Sequence, residues 1–266
     1  MSSTSFEVTS DLARTTAMPA GRRWGAYLAE AKYECVRTLR MPGFTIPFLL
    51  LPVSLYVFFA VILFGAALRG QPNAGMALFT GFAAFGVMGP GMFGFGVFVA
   101  MEREQGLLTL KRALPMPPAA YLLAKMFMAM LFAAIVMATM IVAALSLAHL
   151  KLTARQLLSV AGINVLGALP FCALGLFIGT RATGKSAPAF VNLAYFPIMY
   201  LGGLWFPLPG AVAWVMRCSP AFYLDQLALR MTGLPTHVPA VLDVAVLVGV
   251  TLLLTAFSVR RLARVG

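Results

Sequence analysis

FTIPFLLLPVSLYVFFAVILFGAAL, residues 44–68, runs for 25 residues without an Asp, Glu, Lys or Arg. A helix of about 20 apolar residues is long enough to cross the hydrocarbon core of a bilayer. Five more stretches share this property, at 76–100, 126–148, 157–180, 186–207 and 239–259, and the single charge in all six is Asp243, near one end. Because a charge at the bilayer centre costs about 2.5–3.5 kcal/mol even on the lenient insertion scale, chance does not explain this partition. The 266 residues are 61% hydrophobic and 11% charged, against about 25% charged in ordinary soluble domains. The sequence therefore predicts an all-α integral membrane protein with six transmembrane helices.

Basic residues set the orientation. With the N-terminus inside, fifteen of the 20 Lys and Arg flank the inner ends of the spans, leaving Arg69, Lys151, Arg155, Arg217 and Arg230 outside. Both termini are expected in the cytoplasm of a bacterial plasma or inner membrane, and the net charge of +12 is accounted for by topology and anionic lipid. No basic domain is large enough for nucleic acid. The first 43 residues show no short apolar core with a cleavage site, so no signal peptide is expected. Residues 1–21 read as a disordered tail, and 22–266 as one membrane domain. Within GRRWGAYLAEAKYECVRTLRMPGF, Trp24, Tyr27, Leu28, Ala31, Cys35 and Leu39 recur at helical spacing among charged residues. This predicts an amphipathic helix along the membrane surface, ended by Pro42-Gly43. Cys35, Cys172 and Cys218 fall on different sides of the bilayer, cannot pair within one chain, and have no metal-ligand spacing.

GTRATGKS, residues 179–186, spells a phosphate-binding loop, G-x-x-x-x-G-K-[ST]. A working loop of that kind needs a strand before it and an acidic magnesium ligand in an α/β domain, and the chain has no room for one. The expected reading is a decoy: a tight inner turn between spans 4 and 5, with Gly179, Gly184 and Lys185 binding no nucleotide and no metal.

MEREQGLLTLKRALPMPPAAYLLAK (101–125) is longer than a turn, acidic at its start and basic further on, as suits a short helix. Gly106 marks a kink or a second helix start. The segment resembles the internal loop of type-2 ATP-binding-cassette (ABC) exporter permeases; Glu102, Gly106, Leu110, Pro115 and Lys125 carry the likeness. Leu107 stands where Thr is commonest, and Thr109 where an acid is usual. YLGGLWFPLPGAVAWVMRCSPAFYLDQLALR (200–230) resembles the same family's run after span 5 through Gly203, Phe206, Pro207, Pro220, Tyr223, Asp225 and Arg230. The gap between Asp225 and Arg230 is longer than usual. KYECVRTLRMP resembles its N-terminal helix, and the likeness covers nearly the whole chain.

The resemblance implies six spans per protomer, two protomers (a homodimer) forming the pathway, and two separate ATPase subunits that bind the ATP and magnesium. It also implies that Glu102, Glu104, Gly106, Leu110, Arg112 and Pro115 form the element coupling the ATPases to the spans. Short re-entrant helices between spans 5 and 6 would carry Pro207, Pro220, Tyr223, Asp225 and Arg230. Span 2, with its glycines, Pro90 and phenylalanines, suits close helix approach and an adaptable lining. Phe85, Met88 and Phe93 there, with Asn192 and Tyr195 of span 5, are candidates for the pathway of a lipophilic or amphipathic cargo. Two other functions compete. An ion-coupled transporter places ionisable groups deep in its spans, where only Asp243 qualifies. A membrane enzyme wants clustered acids or histidines, whereas His149 and His237 stand apart.

Overall fold

A computed structural model describes residues 20–68, 70–108, 110, 118–205 and 210–265, and every regular element among them is helical. Helix α1 covers Ala20–Leu39, α2 Pro42–Val57, α3 Pro72–Glu104, α4 Pro118–Ser146, α5 Ala154–Gly179, α6 Ala187–Leu201, α7 Pro220–Thr232 and α8 Ala240–Val265. α2 continues through a π-helical segment at Phe58–Leu63, and a 3₁₀ stretch, Gly210–Cys218, precedes α7. Of the expected tail 1–21, only Ala20 and Gly21 are among the described residues, and they begin α1.

The helix starts follow from local chemistry. Pro42, Pro72 and Pro220 each occupy a first helical position, where the missing N–H costs nothing. Pro42 thus opens α2 as well as closing α1. Thr153 and Gln156 form a reciprocal capping box at α5.

Among the described residues, five helices are long and apolar enough to cross a membrane: Pro42–Leu63, Pro72–Glu104, Ala120–Ser146, Ala154–Gly179 and Ala240–Leu262. The expected span at 186–207 is helical only to Leu201, giving 15 residues, or about 22 Å at 1.5 Å per residue. Gly202 and Gly203 end it, the latter at φ +68°. The chain then folds back so closely on α3 that a Cβ on Gly81 would lie 1.8 Å from the Leu204 carbonyl oxygen.

α3 is the centre of the bundle, with 83% of its apolar window buried against 17% for the first span and 11% for the last. Helices α2, α4, α5, α6 and α7 all pack on it. α5 approaches it backbone to backbone: a Cβ on Gly175 would meet the Met92 carbonyl oxygen at 2.5 Å, and one on Gly179 that of Gly96 at 2.6 Å. Small residues in α3 and α5 are what permit this contact.

Candidate functional site

Where α1, the last turn of α3 and the first turns of α4 meet, four charged side chains and a tyrosine share one cluster. Glu102, in the last turn of α3, has 1% of its surface exposed, and Lys125 of α4 is fully buried. The Lys125 Nζ donates to Glu102 Oε1 at 3.1 Å and to the Glu34 carboxylate of α1. Arg37, one turn further along α1, donates to Glu102 Oε1 at 2.6 Å, and the Tyr121 hydroxyl donates to Glu102 Oε2. The ammonium also lies 5.2 Å from the Tyr121 ring centre and 5.7 Å from that of Phe98.

Two carboxylates therefore face two cations, so that attraction and hydrogen bonding offset the desolvation penalty of the buried charges. Partial burial works against the charge on Arg37. The hydrogen bond to Glu102, with the Glu102 and Glu34 charges, more than offsets it and raises the guanidinium above its ordinary value. Beside Glu34, burial and that negative charge push the Cys35 thiol up, so it is a packed apolar group and not a nucleophile. Among the described residues no three His, Cys, Asp or Glu gather as metal ligands.

The segment leaving this cluster turns sharply. Gly106 has φ +70° and open space where a Cβ would stand. Leu107 and Leu108 resume a helical path, and the Leu110 N–H bonds back to the Gly106 carbonyl. Leu108 packs against the apolar cluster that includes Phe95, Val99, Tyr121 and Leu176, whereas Leu110 and Glu104 are exposed. Arg112 and Pro115 lie outside the described residues.

The neighbouring turn contains GTRATGKS. The Arg103 guanidinium donates to the carbonyls of Thr180 and Ala182, the latter at 2.6 Å, so a cation completes the C-terminus of α5. Thr183 and Ser186 bond each other's side chains and backbone N–H groups, and the N–H groups of Thr180, Arg181 and Ala182 turn back into α5. Gly184 packs on Glu104, where a Cβ would stand 2.6 Å from Oε2, and Lys185 is exposed.

The residues proposed for the pathway separate. Phe85, Met88 and Tyr195 are buried in the protomer's own core, with the Tyr195 hydroxyl donating to the Phe85 carbonyl at 3.1 Å. Phe93 stacks edge-on against Tyr195 but is half-buried, and Asn192 is exposed on α6.

At the opposite end, α7 is wedged among α3, α5, α6 and α8. Ser219 caps it and donates to the Ile198 carbonyl at 2.6 Å, Pro220 opens it, and the Tyr223 hydroxyl donates to the Arg217 carbonyl at 2.8 Å. Arg230 bonds the Val238 carbonyl and stands 3.7 Å from the fully buried Asp243. The one acid in the last span thus has a partner that sequence spacing does not pair with it. Pro207 lies outside the described residues.

Asp225, also on α7, is 8% exposed, and burial pushes its pKa up to about 7, with the Thr80 hydroxyl opposing. A carboxyl raised in the fold favours the folded state most when protonated. Stability is then greatest below its ordinary value of 3.8 and falls as pH rises through about 7. Asp225→Asn is expected to flatten that fall in thermal unfolding of the detergent-solubilised protein between these two limits. An unchanged difference between mutant and parent at both ends would contradict it.

Residues 26–231 match the family described as ABC-2 type transporter. The chain belongs to that family. It is also 25% identical over 209 residues to a Bacillus subtilis (strain 168) protein named as a transport permease, YvfS, covering 76% of this chain and 84% of that relative. An ABC-2 chain with several helices long enough to cross a bilayer is a multi-pass membrane subunit of a transporter, and the Glu102 cluster lies at the root of its 101–118 segment.

Proposed function

We propose that this ABC-2 chain is the permease subunit of an ATP-driven exporter, with ATP and magnesium held by a separate ATPase subunit present in two copies. A second permease copy completes the pathway, six segments including α6 traverse the bilayer, α1 lies along its inner surface, and both termini face the cytoplasm. Exposed Trp24, Leu28 and Leu39 beside the buried edge of α1 support a surface position. α7 and the 3₁₀ stretch before it enter the outer leaflet from outside, which satisfies the rule that irregular backbone at membrane depth is covered by protein. The cargo is lipophilic or amphipathic, in keeping with half-buried Phe93 on α3 and the exposed Phe190, Leu193 and Phe196 on α6. The GTRATGKS turn is a packed connector in which the N–H groups of Thr180, Arg181, Ala182, Thr183 and Ser186 are already bonded, so the phosphate-binding loop of the assembly belongs to the partner.

The observation that carries this reading is the buried ion cluster. It ties the base of the 101–118 segment to α1, α3 and α4, so a push on that segment from a docked ATPase reaches three helices through short, charge-assisted contacts. Glu104, Gly106 and Leu110 face outward to meet the partner.

Two variants test the coupling. Gly106→Pro imposes φ near −65° where the fold needs +70°, re-aiming the segment without entering the core. Glu102→Gln leaves Lys125 its bond to Glu34. With the ATPase reconstituted in vesicles, both variants are expected to keep hydrolysis while transport falls about tenfold, equivalent to about 1.4 kcal/mol of lost coupling. Full transport by both would remove the coupling role. Failure of any ATPase to co-purify with the parent chain would remove the exporter reading itself.

A further inference from the structure

At the end of the bundle opposite the ion cluster, the π-helical segment after α2 leaves a cavity of about 630 Å³ between itself, the start of α3 and the connection from α4 to α5. Its size lies within the range of small-molecule sites, about 300–1,000 Å³. Helical π-segments widen the backbone and recur at functional positions. Here the Phe64 N–H reaches back five residues to Phe59, and Ala60 and Val61 of the same segment form one wall.

Three features give the cavity a chemistry. Its walls are apolar and small, with Ala60, Val61, Gly65, Gly75 and Met76 among them. Tyr56 also lines it; this side chain is fully buried, and among the described residues its hydroxyl has no hydrogen-bond partner. An orphaned buried hydroxyl costs free energy unless something bonds it. At the rim, His149 and Lys151 are exposed, and no Asp or Glu lines the cavity among the described residues. His149 has φ +51° at the end of α4, where the Leu150 N–H closes on the Ala144 carbonyl. Glycine is the residue that takes such a closing position without strain, so the imidazole is held at the rim against a backbone preference.

We propose that this cavity binds an amphiphile with an alkyl chain and an anionic head group, an acidic phospholipid of the surrounding bilayer. The chain lies along Ala60, Val61 and Met76, the head group meets Lys151 and His149, and the Tyr56 hydroxyl bonds an oxygen of the glycerol region. The site is independent of the transport reading, because occupancy needs no ATPase.

The experiment uses the full chain purified in non-ionic detergent, mixed with phosphatidylglycerol or with phosphatidylcholine of the same acyl chains, and reads retained lipid by native mass spectrometry. The parent is expected to prefer phosphatidylglycerol. Lys151→Glu, a surface change, is expected to reduce that preference about fivefold, one cation's share at a membrane surface. Val61→Trp fills the cavity and is expected to reduce retention of both lipids about tenfold, with thermal unfolding as its folding control. Equal retention of phosphatidylglycerol by the parent and Lys151→Glu would overturn the proposal. So would its displacement by millimolar inorganic phosphate, which would make this a site for a free anion and not a lipid.

Discussion

Changing Lys125 to Met is expected to destabilise the bundle by about 3–5 kcal/mol, the cost of breaking a buried ion pair by removing one partner. The side chain is fully buried, and its ammonium bonds Glu34 and Glu102 together. Met has a similar length and fits the surrounding apolar contacts, so lost volume contributes little. What remains is charge. Arg37 and Tyr121 still bond Glu102, but Glu34, 4% exposed, loses the cation that compensates it.

The same logic predicts a rescue. Lys125→Met with Glu34→Gln removes both members of the pair, and replacing a whole buried pair is often neutral. The double variant is expected to recover more than half of the stability lost by Lys125→Met, read as thermal unfolding in detergent. If the two substitutions add without recovery, the charges are not coupled as the geometry requires. If the double variant recovers stability yet still transports poorly, the cluster contributes to coupling beyond holding the fold together.

How much of this could be read from the sequence differs from residue to residue. The apolar segments were plain because excluding charge from about 20 consecutive positions is a strong local signal. The stop of α6 at Leu201 was less plain. Hydropathy reports composition, and nothing in the apolar run Leu201–Trp205 shows that Gly203 adopts φ +68°. The backbone turn at Gly106 was legible, since a glycine between a charged helix end and a leucine pair has few other uses. The role assigned to Glu102 rested on family resemblance, and its partners were not visible. By sequence Lys125 counts with the inner-surface cations, yet it is buried and bonds a carboxylate 91 positions away. Pattern reading cannot tell which charge beside a span turns inward. One signal was available: Tyr121 and Lys125 are four apart in a helix, and so share a face, with apolar neighbours on both sides. The pairing of Arg230 with Asp243 had a similar weak signal, since the one acid in a span needs a cation.

Changing Gly175 to Val should badly damage the contact between α3 and α5, costing about 3 kcal/mol or more, at or above the usual range for overpacking. A Cβ there would stand 2.5 Å from the Met92 carbonyl oxygen and 3.0 Å from that of Gly91. Both atoms are backbone of α3, which is itself held on several sides, so no flexible side chain can move aside. Alanine at Gly175 should already destabilise. Gly162 supplies the comparison within the same helix, since a Cβ there meets nothing within 4 Å. Alanine at Gly162 should be neutral or stabilising by about 0.5–1 kcal/mol, because glycine is a poor helix residue. The same substitution is therefore expected to change sign within one helix, with thermal unfolding as the measurement. Gly179 extends the argument to the GTRATGKS turn, because its absent Cβ leaves room for the Gly96 carbonyl of α3 at 2.6 Å. If Gly179 serves packing, Gly179→Ala lowers the unfolding temperature whether or not nucleotide is present. If it cradled phosphate, the loss would appear in nucleotide binding at unchanged stability, and the α3–α5 contact would need another account.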